Sequence, residues 1–226
     1  MDYLSSVDAC VDRIVERTGK KLTLAAPLGL GKPNVLLNAI YRRAAADRSL
    51  KLTIYTALSL ERPHPKSDLE RRFIGPFVER HFGADYPDLD YVKALHANAL
   101  PPNVRVHEFY MQSGAMLRVG AAQRDYISMN YTHVARDIVG SGIDVVVQLI
   151  AMREEDGVRR YSLACNPDVT LDLLDRIAQA GARKPMLVGV VHHDLPFVGN
   201  DAQVAADVFD VIVDSAECQH ELFALP

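Results

Sequence analysis

Thr23-Leu24-Ala25-Ala26-Pro27-Leu28-Gly29-Leu30-Gly31-Lys32-Pro33-Asn34-Val35-Leu36-Leu37 runs from a short apolar strand through a glycine turn into an amphipathic helix. Gly29 and Gly31 can adopt backbone angles closed to other residues, and without a Cβ they let a ligand approach the main-chain amides. Pro33 suits a first helical turn, where its missing N–H costs nothing. The amides and dipole of the helix that follows favour negative charge, on a phosphate, a carboxylate or a developing oxyanion. Two nucleotide motifs fit poorly. A phosphate-binding loop has Gly where Ala26 stands and a hydroxyl where Pro33 stands, and a dinucleotide fingerprint has a third Gly where Asn34 stands. A tight strand-to-helix connection without a ligand stays open beside an acyl or anion cradle.

Outward from this loop the chain alternates strands and helices. Val7, Cys10, Val11, Ile14 and Val15 recur at helical spacing, predicting a helix over 5–18 that stops near Gly19. A strand at Leu22 to Ala26, a helix through Val35, Leu36, Ala39, Ile40 and Arg43, and a strand at Leu52 to Thr56 make a βαβ unit. From Ser59 to Pro102 six prolines interrupt helical pieces, Ser67 to Phe73 and Leu89 to Leu100, in an irregular insertion; Gly75-Pro76 is expected to break the first. Strands follow at Val104 to Phe109, Tyr126 to Asn130, Ile143 to Ile150, Tyr161 to Ala164, Met186 to His192 and Phe209 to Val213, with a turn or helix end at 118–122 and helices at Tyr131 to Val139 and from Asn166-Pro167-Asp168 to Ala180. Ile143 to Ile150 reads as the central strand. The pattern predicts an α/β fold, an open, mainly parallel sheet flanked by helices, with ligands bound beyond the carboxyl ends of its strands.

Composition narrows the function. With 226 residues, 49% of them hydrophobic, the chain can bury a sizeable core. A net charge of −4 with interspersed signs and no basic stripe speaks against nucleic acid. The longest apolar run, Val145 to Met152, is broken by Gln148 and is too short to cross a membrane. Met1-Asp2-Tyr3 does not begin a secretion signal, and Cys10, Cys165 and Cys218 are odd in number and far apart, as reduced thiols would be. A cytoplasmic location is the expectation.

In this order the elements resemble the amino-terminal domain of the acetyl-CoA hydrolase and CoA-transferase family, which includes 4-hydroxybutyrate CoA-transferase and acetate or succinate CoA-transferases. The resemblance covers nearly the whole chain, 1–226. It rests on Gly29-Leu30-Gly31-Lys32-Pro33, on Tyr126-Ile127-Ser128-Met129-Asn130-Tyr131-Thr132-His133-Val134, on Ile143 to Ile150 through Tyr161-Ser162-Leu163-Ala164-Cys165, and on Met186 to His192, Gly199-Asn200-Asp201 and Val208 to Asp214. The chain departs from it in having Pro196-Phe197-Val198-Gly199-Asn200 where many members carry a Pro-Arg-Thr-His-Gly loop, and Arg153-Glu154-Glu155-Asp156-Gly157 after the central strand.

The resemblance implies a ribose-phosphate isomerase and CoA-transferase type of sheet, acyl-CoA and a carboxylate as substrates, and no cofactor, since coenzyme A is itself a substrate. It implies covalent catalysis by a glutamate of a second, carboxy-terminal domain or subunit, so no catalytic nucleophile is assigned in this chain, which alone is expected to be inactive. Gly29, Gly31, Lys32, Pro33 and Asn34, with Asn130 and Tyr131, are the residues expected to line the acyl and CoA site. Lys32 reads either as a ligand for a carboxylate or phosphate or as a solvated lysine at a loop tip. His192-His193-Asp194 suggests a metal, but adjacent histidines on an extended chain point to opposite faces. Ser128 and Ser162 lack a nucleophile-elbow context, and Cys165 reads as a buried or half-buried thiol. The apolar ending through Leu222-Phe223-Ala224-Leu225-Pro226 suits a contact with the missing domain, or with a second copy in a homo-oligomer, as well as packing on its own core. A stand-alone domain binding a small molecule such as a sugar phosphate is the alternative function.

Overall fold

The computed structural model describes residues 1–223. Ala224, Leu225 and Pro226, the end of the expected contact segment, lie outside the described residues. In chain order the elements are β1 (Asp2–Leu4), α1 (Val7–Thr18), β2 (Lys21–Ala25), α2 (Asn34–Ala46), β3 (Lys51–Thr56), α3 (Asp68–Phe82), α4 (Asp90–His96) and β4 (Val104–Glu108). Then come α5 (Gly120–Asp125), α6 (Val134–Gly140), β5 (Val145–Glu155), β6 (Val158–Ser162), α7 (Asp168–Ala180), β7 (Met186–Val191), β8 (Gln203–Val204) and β9 (Val211–Val213). The strands form one nine-stranded sheet in the order β1-β9-β7-β5-β2-β3-β4, with β6 paired to β5 and β8 to β6. Every pairing along the main path is parallel, and the β5–β6 and β6–β8 pairings are antiparallel. This is an α/β fold with β5 at its centre.

Period-two alternation divides the core between the two faces. Leu22, Leu24, Leu52, Ile54, Val145, Val147 and Leu149 pack with Val11 and Ile14 of α1 and Leu37 and Ile40 of α2. On the opposite face Val146, Ile150, Leu187 and Ile212 pack with Val134 and Ile138 of α6 and Leu173 and Ile177 of α7. Strands apolar on both sides are what a helix-covered parallel sheet requires.

Two expectations are corrected. Tyr126 to Asn130 is not a strand: apart from Ile127 N–H donating to Glu108 O at 2.9 Å, it lies beyond the edge strand β4 without a ladder to join. Nor does Gly75-Pro76 end α3, which runs on to Phe82 with Pro76 inside it. The proline removes one intrahelical hydrogen bond, but the carbonyl it frees lies on an exposed stretch where water can take it. Both ends of α3 are secured, by Ser67 Oγ accepting from Glu70 N–H at 3.1 Å and by Gly83 N–H donating to Glu79 O at 3.2 Å.

Candidate functional site

Chain order reverses between β2 and β5: from β2 the sheet grows one way through β3 and β4, and from β5 the other way through β7 and β9. The carboxyl ends of strands flanking such a reversal enclose a crevice. The glycine loop leaves β2 at this point. A cavity of about 480 Å³ opens there, lined by Gly29 and Leu30 after β2, Leu58 and Leu60 after β3, Asp194 and Pro196 after β7, and Leu222 and Phe223. Among the described residues its wall is mostly apolar, with Asp194 as its ionisable side chain.

Gly29 takes φ 53° and donates its amide to Leu58 O at 3.1 Å, while Leu58 itself sits at φ 37° and donates to Tyr110 O at 2.7 Å. A leucine held in the left-handed region on a cavity wall is local strain imposed by its surroundings. Gly31 donates to Asn166 Oδ1 at 2.9 Å. The expected anion cradle is thus filled at both glycine amides by the chain's own oxygens. Asn166 is fixed in turn by Gln148 of β5, whose Nε2 donates to the carbonyls of Leu163 (3.1 Å) and Asn166 (3.0 Å) and whose Oε1 accepts from Thr170 Oγ1 at 2.5 Å.

Lys32 is neither on the cavity wall nor solvated. It is 3% exposed, and its Nζ donates to Thr56 Oγ1 and to Ala57 O, the latter at 3.0 Å. Burial pushes the ammonium down to about 8, opposed by the negative charge of Glu108. Glu108 is itself buried and accepts from Ser59 N–H at 2.9 Å and from Ser59 Oγ at 2.6 Å. The lysine fastens the glycine loop to the end of β3. Pro33 precedes the first residue of α2, and buried Asn34 donates to Tyr86 Oη (3.2 Å) and Pro87 O (2.9 Å), tying α2 to the insertion. Asn130 is exposed and caps a single 3-10 turn through Thr132, and Tyr131 lies beside Phe109 with ring centroids 6.0 Å apart. Of the seven expected residues, Gly29 lines the cavity; Asn130 and Tyr131 are not on its wall.

The last wall is a strap, residues 219–223, laid across the strand ends. Gln219 Nε2 donates to Val191 O at 3.0 Å, buried His192 donates from Nε2 to His220 O at 2.7 Å, and Glu221 N–H donates to Asp85 Oδ1 at 2.7 Å. Phe223 meets Phe82 at a centroid distance of 5.0 Å. His193 turns the other way, to Asp214 Oδ1 at 3.1 Å, so the adjacent histidines diverge as extended geometry requires. Cys165 is exposed, not buried, and desolvation raises its thiol above the ordinary value, away from the thiolate a nucleophile needs. Among the described residues no helix is long and apolar enough to cross a membrane.

No protein-family model and no curated protein matches the sequence. Solved structures do match. RipA from Yersinia pestis superposes with a TM-score of 0.61 at 16% identity over 100% of this chain and 44% of its own, and a RipA point mutant with 0.62 at 17% over 99% and 43%. A 4-hydroxybutyrate CoA-transferase from Porphyromonas gingivalis superposes with 0.52 at 14% over 100% and 41%. The chain spans less than half the length of these proteins, and at such identities the likeness is one of fold: it carries the α/β architecture found within part of a CoA-transferase.

Proposed function

We propose that this chain is the acyl-binding amino-terminal half of a CoA-transferase or acyl-CoA hydrolase whose attacking carboxylate comes from a second domain. The observation that carries the reading is the apolar cavity beside the glycine loop at the sheet's reversal point, in a fold shared with part of a 4-hydroxybutyrate CoA-transferase. Leu30, Leu58, Leu60 and Pro196 suit the hydrocarbon of an acyl group. Gly29, on the cavity wall, leaves no side chain between an acyl group and the loop backbone. Lys32 acts beneath the loop, keeping it in position. A sugar-phosphate site is less well supported, because among the described residues no cationic side chain lines the cavity and Lys32 is turned into the protein.

Calorimetry with butyryl-CoA and a sugar phosphate, alongside a thiol-release assay, tests this. Butyryl-CoA should bind the isolated chain, more weakly after Leu58→Arg, with no release of free CoA. Binding of the sugar phosphate with no response to the CoA ester would overturn the proposal. CoA release abolished by Asp194→Asn would do so too, by placing the carboxylate within this chain.

A further inference from the structure

Helix α3 stands apart from the body of the molecule. Its last turn is anchored by buried His81 and Phe82, whereas Leu69, Phe73 and Phe77 are 76%, 84% and 47% exposed. These residues are spaced i, i+4, i+8 and form one stripe with exposed Pro76 between them. Scattered apolar residues on a surface need no explanation, but a continuous stripe with two phenylalanines marks a contact. The charges beside it identify the partner. Glu70 and Arg72 lie toward the amino end of the stripe, Glu79 and Arg80 toward its carboxyl end. Turn the helix end for end about a two-fold axis near Gly75-Pro76, and the two phenylalanines and the flanking charges meet complements. Phe73 faces Phe77 of the second copy, Glu70 faces Arg80 of the second copy, and Arg72 faces Glu79 of the second copy. A parallel pairing would instead set like charges side by side.

We infer that the exposed stripe Leu69–Phe73–Phe77 of α3 is an isologous dimer surface, occupied by the same stripe of a second copy running antiparallel. Covering these three side chains on both copies removes on the order of 700 Å² from water, with Pro76 and the flanking charges bringing the contact toward the roughly 1,200 Å² of a small specific interface.

Sedimentation of the chain up to about 0.1 mM should show reversible association to twice the 25.0 kDa chain mass. Phe73→Asp should leave a monomer with an unchanged melting temperature, because the ring touches little of its own chain. Arg72→Glu and Glu79→Arg should each weaken the dimer about tenfold, and the two together should restore it. A wild-type monomer throughout this range, a dimer indifferent to Phe73→Asp, or a double charge variant no tighter than the single ones would overturn the inference. Heterologous assembly with a different domain at this stripe would appear as the first of these outcomes.

Discussion

The Gly31 amide donates to Asn166 Oδ1 at 2.9 Å, and a Cβ on Gly31 would lie 2.5 Å from that oxygen and 3.0 Å from Asn166 Cβ and Cγ. Absence of a side chain at position 31 is therefore a packing requirement. Gly31→Ala should destabilise the fold by about 1–3 kcal/mol, the usual range for overpacking. Asn166→Gly removes all three of these atoms, so Gly31→Ala in that background should cost much less. Urea denaturation of the four proteins of the cycle gives the coupling, and additive effects would show that the two residues do not press on each other.

Lys32 supplies a pH signature. Its folded-state value, lowered from 10.5 to about 8, lies below that of the unfolded chain, so between these limits the unfolded state binds the extra proton and stability rises with pH. The burial cost is fully present at neutral pH and is relieved as pH climbs from 8 to 10.5. Relative to Lys32→Met, the wild type should gain on the order of 3 kcal/mol across that window. Denaturant midpoints at pH 7.5 and 10 check this, and parallel profiles would show that the ammonium is not desolvated.

Much of this architecture is legible from periodicity: the βαβ unit around the glycine loop, the central strand at Val145 and the helix from Asp168 all follow from apolar spacing. What escaped was decided by neighbours distant in sequence. Tyr126 to Asn130 has the composition of a strand but no strand beside it to pair with, and β1 and β8 are too short for any period. Within the site, Gln148 reads as an interruption in an apolar run, whereas it organises the loop bearing Asn166. A lone amide in the middle of a buried strand was the available signal, because such a group must find partners. Gln148→Leu should accordingly cost about 3 kcal/mol by leaving two carbonyls and the Thr170 hydroxyl unpaired. A thermal shift close to zero in calorimetry would show the network to be dispensable.

Leu58 separates backbone strain from ligand contact. Its φ of 37° costs a non-glycine residue about 1–2 kcal/mol, and its half-buried side chain recovers a similar amount. Leu58→Gly should therefore leave stability within about 1 kcal/mol of wild type. Affinity for butyryl-CoA should nevertheless fall about tenfold, since the cavity loses an apolar wall. Equal affinity in the two proteins would remove Leu58 from the proposed acyl site.

The strap at residues 219–223 depends on one buried imidazole. His192 Nε2–H donates to His220 O, and its Nδ1 accepts from Asp194 N–H at 3.3 Å, which specifies the neutral ring. Burial lowers its pKa below the ordinary 6.5, an effect opposed by the bond to His220 O and the charge of Asp194 and reinforced by His220 and His193. With the folded value depressed, the stabilising contribution is complete above pH 6.5 and is lost as pH falls below it, when the unfolded chain takes up the proton first. A proton on Nδ1 also sets a donor against the Asp194 amide, loosening the strap that carries Leu222 and Phe223 on the cavity wall. Hydrogen exchange, corrected for intrinsic rates, should show His220 and Glu221 opening more at pH 5.5 than at 7.5. His192→Gln keeps a donor but cannot titrate, so the pH dependence should vanish in that variant. Equal opening at both pH values in the wild type would dissociate the strap from the imidazole.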